Sequence, residues 1–365
     1  MNRPIHGPAP VSGVGAPMLL STAFRYADNS YNAVRLIAAV SVVLSHSLLL
    51  GLNSPRYDPL SWAAYDLGAT AVNVFFVLSG AMLTNSVLHR GLARFARNRF
   101  LRIYPALLAS AVLIALLVGP FGTSAPLWEY YSNPQTWLYP LNVAWNFEGA
   151  VLPSMFEHGR YPGDVNVPLW TIKYEILSYI VFGIAAALGL LRHPSIAFAV
   201  WAAFGLALFA NVGVDPSGET PLESLFRFGF AFLTGVVARR SGEIIPLRFG
   251  WAIAALAIAA VGTGTRFGEV TSIIGIGYAS LYVGSKNWGR IAAFARRHDL
   301  SYGIYLMAWP IQQLLTRELI WFGPQIVLLF LISSAISGAL AYFSWKFIEQ
   351  PALRRKEAPT PENKP

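Results

Sequence analysis

Long apolar segments separated by short polar connections recur along the chain from residue 31 onwards. Each segment has about 17 to 24 residues, enough for a helix to cross a hydrocarbon core roughly 30 Å thick. About ten are present, at residues 31–51, 67–88, 103–121, 168–191, 195–213, 222–238, 249–264, 268–285, 300–319 and 325–347. The pattern predicts an all-α, polytopic integral membrane protein with about ten transmembrane helices.

Composition supports the same class, because 55% of the residues are hydrophobic and 12% are charged. A soluble domain has about a quarter of its residues charged. The chain has no cysteine, which excludes disulfides, thiolate metal sites and a cysteine nucleophile. Residues 1–30 are rich in Pro, Gly, Ser and Ala and predict a flexible cytoplasmic tail that lacks the pattern of a signal peptide.

Basic residues alternate between the connections, and this alternation predicts orientation because cytoplasmic loops are enriched in Lys and Arg. With a cytoplasmic amino terminus, most basic residues fall in cytoplasmic connections: Arg90, Arg94, Arg97, Arg99, Arg102, Arg192, Arg239, Arg240, Arg248, Lys286, Arg290, Arg296 and Arg297. The basic tail at 349–365 is then also cytoplasmic. The net charge of +9 is explained by topology and anionic lipid headgroups, so no nucleic-acid partner is expected.

The first apolar segment contains two ionisable side chains, Arg35 and His46. Eleven positions on a helix amount to three turns plus about 20°, so both side chains share one face, about 16 Å apart along the axis. Ionisable groups at membrane depth are costly unless they are paired or face a polar cavity. The pair is therefore a candidate functional site.

The longest predicted loop, residues 122–167, lies outside the cytoplasm in this topology. Its aromatic and acidic residues are Trp128, Glu129, Tyr130, Tyr131, Trp137, Tyr139, Trp145, Glu148, Glu157 and Asp164. Such aromatic density predicts an ordered loop, either at the membrane interface or on a sugar-like acceptor. The sequence leaves both alternatives open.

Arg99 and Arg102 lie three positions apart at the cytoplasmic edge of the third segment, so a helix presents them on one face. Arginine forks match phosphate geometry and can hold an anionic cytosolic ligand. The alternative is that these side chains anchor the helix to lipid headgroups.

Glu175 is an acidic residue within the fourth segment, on one helical stripe with Thr171 and Ser178. This polar stripe can line a cavity. Alternatively, Glu175 is the ion-pair partner of Arg35 or Arg227.

Weaker signals come from Ser79, whose small-residue surroundings favour helix packing, and from Tyr305, which precedes Pro310. Lys346 and Glu349 can pair at the cytoplasmic rim. The histidines other than His46 do not occur at metal-ligand spacing, so no metal site is expected.

Seven motifs in this order resemble the acyltransferase 3 family of integral membrane enzymes, over nearly all of residues 31–348. They are Arg35 to His46, FFVLSG at 75–80, RFLRIYP at 99–105, PLWTIKYEILSY at 168–179, FRFGFAFLTG at 226–235, SYGIYL at 301–306 and FSWKFIEQPALR at 343–354. The resemblance is to the stand-alone exopolysaccharide and nodulation-factor O-acetyltransferase type.

The resemblance implies transfer of an acyl group, usually acetyl, from acyl-coenzyme A to a carbohydrate hydroxyl in the bacterial cytoplasmic (inner) membrane. It makes His46 the catalytic histidine, with Arg35 as its motif partner. Beside this assignment, we expect Glu175 to orient the catalytic centre. Arg99 and Arg102 become contacts of the coenzyme's phosphates. Arg35, Ser79 and Tyr305 complete the expected donor contacts. One position departs from the family, since Ala308 stands where members commonly have a second histidine.

Expected partners are therefore acetyl-coenzyme A, membrane lipid, and a carbohydrate or glycolipid acceptor such as an exported polysaccharide, an O-antigen or a lipid-linked glycan. The alternative is a transporter or flippase for an anionic substrate, since such proteins also place Arg, His and Glu within the membrane. The sequence identifies neither the acceptor hydroxyl nor the oligomeric state.

Overall fold

The computed structural model describes residues 18–24, 28–147, 150–211, 220–319 and 325–354. Within these ranges the chain is mostly helical and has no β-strand beyond two isolated bridges. The helices are α1 (Leu20–Ala23), α2 (Tyr31–Leu52), α3 (Leu67–Arg90), α4 (Leu92–Leu113), α5 (Gly119–Gly122), α6 (Leu127–Ser132), α7 (Pro134–Asn146), α8 (Trp170–Ala187), α9 (Pro194–Asn211), α10 (Pro221–Arg240), α11 (Phe249–Gly262), α12 (Gly268–Gly284), α13 (Arg290–Arg297), α14 (Ser301–Leu319), α15 (Gln325–Ser344) and α16 (Gln350–Arg354). The all-α prediction is confirmed.

Seven helical segments in the described ranges are long and apolar enough to cross a membrane. They are Tyr31–Leu52, Leu67–Val87, Leu92–Gly122, Val167–Ala187, Pro194–Asn211, Pro221–Arg240 and Gln325–Arg354. The other three predicted segments coincide with α11, α12 and α14, which are shorter or more polar. The protein is thus a polytopic membrane protein.

The chain divides into two compact units. The first unit comprises residues 1–45, 55–92 and 174–299, and the second comprises residues 46–54, 93–173 and 300–365. The division falls within α2, which begins in the first unit, and within α8, which begins in the second.

In the first unit, α3 and α10 cross at two glycines. A Cβ atom on Gly80 would lie 2.0 Å from the carbonyl oxygen of Phe232, and one on Gly235 would lie 1.9 Å from that of Val77. Backbone therefore meets backbone at this crossing, the close approach that small residues permit between membrane helices.

The connection between α2 and α3 folds around the buried carboxylate of Asp58. One carboxylate oxygen accepts a hydrogen bond from Ser45 Oγ at 2.7 Å. The other accepts from the backbone N–H groups of Leu60 and Leu67, both at 2.8 Å. Together these bonds hold a turn that has little regular secondary structure.

In the second unit, the third membrane segment is longer than its apolar run. A π-helical turn, Ile114–Val118, joins α4 to α5, so the helical segment extends over Leu92–Gly122. It begins well before the predicted residue 103 because the arginine-rich stretch that precedes the apolar run is also helical. The predicted long loop that follows contains α6 and α7, while Glu148 lies outside the described residues.

Part of the predicted flexible tail is folded. Leu20 is buried, and its backbone N–H donates to Ile245 while that of Ser21 donates to Gly242. Residues 1–17 of the tail, and residues 355–365 of the predicted carboxyl-terminal tail, lie outside the described residues.

Candidate functional site

The predicted site residues are divided between the two units. Arg35, Ser79 and Glu175 belong to the first unit, and His46, Arg99, Arg102 and Tyr305 belong to the second.

His46 lies in the carboxyl-terminal half of α2 and packs against Trp309 of α14. The ring centroids are 5.0 Å apart and the ring planes meet at 85°, an edge-to-face contact. The imidazole Nδ1 is buried and has no hydrogen-bond partner among the described residues. The position of the ring is therefore set by its aromatic contact and not by a hydrogen bond at Nδ1.

Trp309 is itself held by the segment that precedes α8. Its indole Nε1 donates to the carbonyl oxygen of Asp164 at 3.1 Å, and the ring of Tyr161 packs against it at 5.4 Å. Gln313, one turn further along α14, donates to the carbonyl oxygen of Tyr161 at 2.8 Å. These contacts hold the Trp309 ring in position against the imidazole of His46.

A second contact between the same segment and α14 involves Pro310. Proline has no N–H, so the carbonyl oxygen of Leu306, four residues earlier, loses its usual helical donor. The Nδ2 group of Asn166 donates to that oxygen at 2.7 Å. The loop thus satisfies the acceptor that the proline exposes.

Tyr305 also contacts this region. Its hydroxyl donates to the carbonyl oxygen of Pro168 at 2.9 Å and lies 2.6 Å from Thr171 Oγ. The structure therefore ties Tyr305 to the start of α8, and its contact with the donor stays a prediction.

Arg102 forms an ion pair with Glu349, with 3.7 Å between guanidinium and carboxylate atoms. Glu349 is 2% exposed and also accepts a hydrogen bond from Ser344 at 3.1 Å. The expected pairing of Lys346 with Glu349 is wrong, since the Lys346 ammonium lies over the Phe347 ring at 5.5 Å. Folding brings Arg102, which is remote in sequence, to this carboxylate instead.

In the first unit, the structure brings two predicted residues together. An Arg35 nitrogen donates to Ser79 Oγ at 3.3 Å, and the guanidinium lies over the ring of Phe75 at 5.3 Å. Ser79 is buried, so the motif FFVLSG on α3 supplies both contacts of this arginine.

Arg227 on α10 is 4% exposed and is fully engaged by neighbours from its own unit. Its Nε donates to Asn73 Oδ1 and one terminal nitrogen donates to the carbonyl oxygen of Ala69, both at 3.0 Å. Its guanidinium also lies over the ring of Tyr65 at 4.3 Å. These neutral acceptors and this aromatic face contribute to satisfying the buried charge.

Glu175 accepts a hydrogen bond from the hydroxyl of Tyr179, one turn further along α8. This contact takes the place of the ion pair with Arg35 or Arg227 that the sequence allowed. The carboxylate is half-buried.

Sequence reasoning missed Trp309 and the residues that hold it. One signal was present: Gln312, Gln313 and Thr316 interrupt the apolar ninth segment. Gln312 is fully buried and its Nε2 donates to Ser47 Oγ at 2.7 Å, beside His46 in sequence. No group of three His, Asp or Glu residues in the described ranges is placed to hold a metal ion.

Comparison with known proteins identifies the chemistry. The sequence profile described as "Acyltransferase domain", that of acyltransferase family 3, matches residues 28–345. The chain is 25% identical over 338 residues to an "O-acetyl transferase" of Shigella phage Sf6, covering 90% of this chain and 97% of the relative. It is 28% identical over 356 residues to "Nodulation protein 10" of Rhizobium leguminosarum bv. viciae, covering 89% and 93%.

No solved structure matches the chain. The family match nevertheless spans nearly all of the described helices, from the start of α2 to the end of α15. The chain therefore belongs to the acyltransferase 3 family and is a multi-pass integral membrane acyltransferase.

Proposed function

We propose that this protein transfers an acetyl group from cytosolic acetyl-coenzyme A to a hydroxyl group of a carbohydrate acceptor. The acceptor class is an exported polysaccharide, an O-antigen or a lipid-linked glycan, modified at the bacterial cytoplasmic membrane. The name of the Shigella phage Sf6 relative supports O-acetyl transfer. The observation that carries the proposal is the imidazole of His46, which packs against Trp309 and keeps Nδ1 without a partner among the described residues.

In the proposed reaction His46 is the general base. It takes the proton of the acceptor hydroxyl while the hydroxyl oxygen attacks the thioester carbonyl carbon. The carbon–sulfur bond then breaks, the coenzyme leaves as a thiolate, and the proton passes from the imidazolium to that sulfur. Acyl transfer through His46 itself is the variant of this mechanism in which a covalent intermediate forms.

Arg99 and Arg102 are the proposed contacts of the coenzyme's phosphates. Arginine has N–H donors in a planar fork that matches the geometry of a phosphate, and the guanidinium of Arg102 also pairs with Glu349. That ion pair also holds the guanidinium in one position. Arg35, Ser79 and Tyr305 are the remaining proposed donor contacts.

Arg35 and His46 lie on one continuous helix, about 16 Å apart along its axis. An extended pantetheine arm can cover that distance and bring the thioester near the histidine, while the nucleotide stays with the cytoplasmic arginines. Glu175, hydrogen-bonded to Tyr179, is the proposed orienting carboxylate for the acceptor.

Inside-out membrane vesicles supplied with acetyl-labelled coenzyme A test the proposal. We expect label in the glycan fraction, and we expect His46→Ala to abolish it while the protein remains inserted in the membrane. His193→Ala is the matched control, since His193 is exposed, and it should transfer label normally. Full transfer by His46→Ala would contradict the catalytic assignment. Uptake of the intact labelled coenzyme, without transfer, would instead indicate a transporter.

A second experiment tests the donor site separately. Charge-assisted hydrogen bonds contribute about 1.5–3 kcal/mol, so Arg99→Gln or Arg102→Gln should raise KM for acetyl-coenzyme A by about tenfold or more. Arg248→Gln removes an exposed arginine of another cytoplasmic connection and should leave KM unchanged. Equal KM values in all three variants would exclude Arg99 and Arg102 from the donor site.

A further inference from the structure

Helix α7 lies within the long connection after the third membrane segment and has three distinct sides. One side is buried and contains Thr136, Tyr139 and Val143. At 100° per residue these three side chains occupy an arc of about 60°, the side by which α7 packs on the rest of the second unit.

The exposed half of α7 is itself divided into an apolar and a polar side. Trp137, Leu138, Leu141 and Trp145 fall within about 100° of one another and form what we call the apolar stripe. Trp137 is 59% exposed, Leu141 63% and Trp145 89%.

The polar exposed residues of α7, Gln135, Asn142 and Asn146, fall within about 40° of one another, beside the apolar stripe. The three sides of this helix require three different surroundings. The rest of the protein covers the buried side, and water can solvate the polar side. The apolar stripe requires a neighbour that the described part of the chain does not supply.

The position of α7 indicates which neighbour. The hydroxyl of Tyr130, in α6, donates to the carbonyl oxygen of Ala115 at 2.7 Å, and Thr136 Oγ donates to the carbonyl oxygen of Tyr130 at 2.5 Å. Ala115 is about 24 Å along the helix axis from Arg99. Since the hydrocarbon core is about 30 Å thick, α6 and α7 are attached close to the level where this segment leaves it.

Exposed apolar residues of the same segment lie at this level. Leu117 is 52% exposed and Phe121 is 69% exposed. The apolar stripe of α7 therefore lies near an exposed apolar surface at the end of a membrane-spanning segment.

We propose that α7 lies in the plane of the membrane and inserts its apolar stripe into the leaflet opposite the arginine-rich connections. Tryptophan is enriched at this depth because its ring is apolar and its N–H is polar. In-plane helices of this kind bury their apolar side by about 5–10 Å into the boundary between headgroups and acyl chains. Gln135, Asn142 and Asn146 then face the headgroups and water.

The composition of the stripe favours lipid over a sugar acceptor. A sugar-binding surface needs hydrogen-bonding groups beside its aromatic rings, whereas here Leu141 lies between the two tryptophans and Leu138 lies at the edge of the stripe. The polar side chains of α7 belong to its other exposed side. Because α7 has no charged residue, its insertion does not depend on lipid charge.

The absence of cysteine from the chain makes a direct test possible. Single-cysteine variants Leu141→Cys and Trp145→Cys report on the apolar stripe, and Asn142→Cys and Asn146→Cys are the matched controls on the polar side. Each cysteine takes a nitroxide label, and the protein is reconstituted into vesicles of phosphatidylethanolamine and phosphatidylglycerol. Collision rates with oxygen, which concentrates in lipid, and with a water-soluble nickel chelate are then compared.

We expect the ratio of oxygen to nickel collisions to be several-fold higher at Leu141→Cys and Trp145→Cys than at the two controls. High nickel accessibility at all four sites would overturn the proposal, since the stripe would then face water or a sugar. Low accessibility to both reagents at the stripe would also overturn it, since protein would cover the stripe. All four native side chains are exposed, so the variants remove no buried contact, and the test does not depend on the proposed reaction.

Discussion

Asn166 supplies Leu306 with the hydrogen bond that Pro310 removes from α14. The donor and the acceptor are 2.7 Å apart, and both residues are buried. A proline within a membrane helix is tolerated when neighbouring side chains satisfy the backbone group that it frees. Here that neighbour is Asn166, in the loop before α8. The hydrogen bond that compensates for the proline therefore also attaches this loop to α14.

Asn166→Ala should lower the free energy of unfolding by about 1–3 kcal/mol, because it leaves a buried carbonyl oxygen without a donor. Pro310→Ala restores an N–H to α14 and gives Leu306 its own helical partner. Asn166→Ala should therefore cost less in the Pro310→Ala background. Thermal unfolding of the four proteins in detergent measures this coupling, and additive effects would show that the two residues do not share one acceptor.

Trp309→Ala should lower kcat for acetyl transfer by about tenfold or more, a change of about 1.4 kcal/mol, because the imidazole of His46 loses its aromatic support. KM for acetyl-coenzyme A should change little. Trp309→Phe keeps an aromatic ring while losing the hydrogen bond to Asp164, and it should retain most of the activity. Steady-state transfer assays in vesicles distinguish the two variants.

A control for general disruption is Trp251→Ala, since Trp251 is a half-exposed tryptophan of α11 in the other unit. It should transfer acetyl at the normal rate. A normal kcat for Trp309→Ala would show that the Trp309 ring does not position His46 for catalysis.

Gly235→Ala should destabilise the protein by about 3 kcal/mol or more, because its Cβ would overlap the backbone of α3 and neither helix can yield by a side-chain movement. Gly338→Ala is the matched control. A Cβ on Gly338 meets nothing within 4 Å, and alanine favours a helix over glycine by up to about 1 kcal/mol. Melting temperatures of the two variants should therefore move in opposite directions. Similar melting temperatures would contradict the backbone contact.

Alkaline pH should release α6 from the third membrane segment. Burial raises the pKa of Tyr130 above its ordinary value of 10.0, so the docked phenol stays protonated when a solvated one would ionise. The docking contribution is therefore complete below pH 10 and is lost as the pH rises above it. The mobility of a nitroxide at Asn142→Cys, recorded between pH 8 and pH 11, measures the release. Tyr130→Phe should abolish the pH dependence.

The helices were largely predictable from the sequence because long apolar runs directly reflect the thickness of the bilayer. The start of α4 was not, since Leu92–Arg102 is helical without being apolar. The two helices of the long loop were also missed. Their exposed sides combine Trp and Leu with Asn and Gln, so the hydrophobic pattern has no simple helical period.

The site was only partly predictable, because the sequence motifs identify residues but not their neighbours. Arg35 and Ser79 belong to separate motifs, and their contact follows from packing of α2 against α3. Trp309 stands beside Ala308 in a segment that reads as apolar, and only folding shows that it meets His46. The partner of Glu349 was misassigned because the correct arginine comes from α4, far away in sequence.

The hydrogen bonds of Asp58 limit where a reporter of membrane orientation can be inserted without disrupting the fold. Its carboxylate closes the connection between α2 and α3 with three hydrogen bonds, so a reporter enzyme inserted there would separate Ser45 from Leu67 and break the turn. The connection between α11 and α12 is predicted to lie on the same side of the membrane. There Gly264 is exposed, and a Cβ on it would meet nothing within 4 Å. Gly264 is therefore the better position for a topology reporter or an epitope tag, although its connection is shorter than the one that contains Asp58.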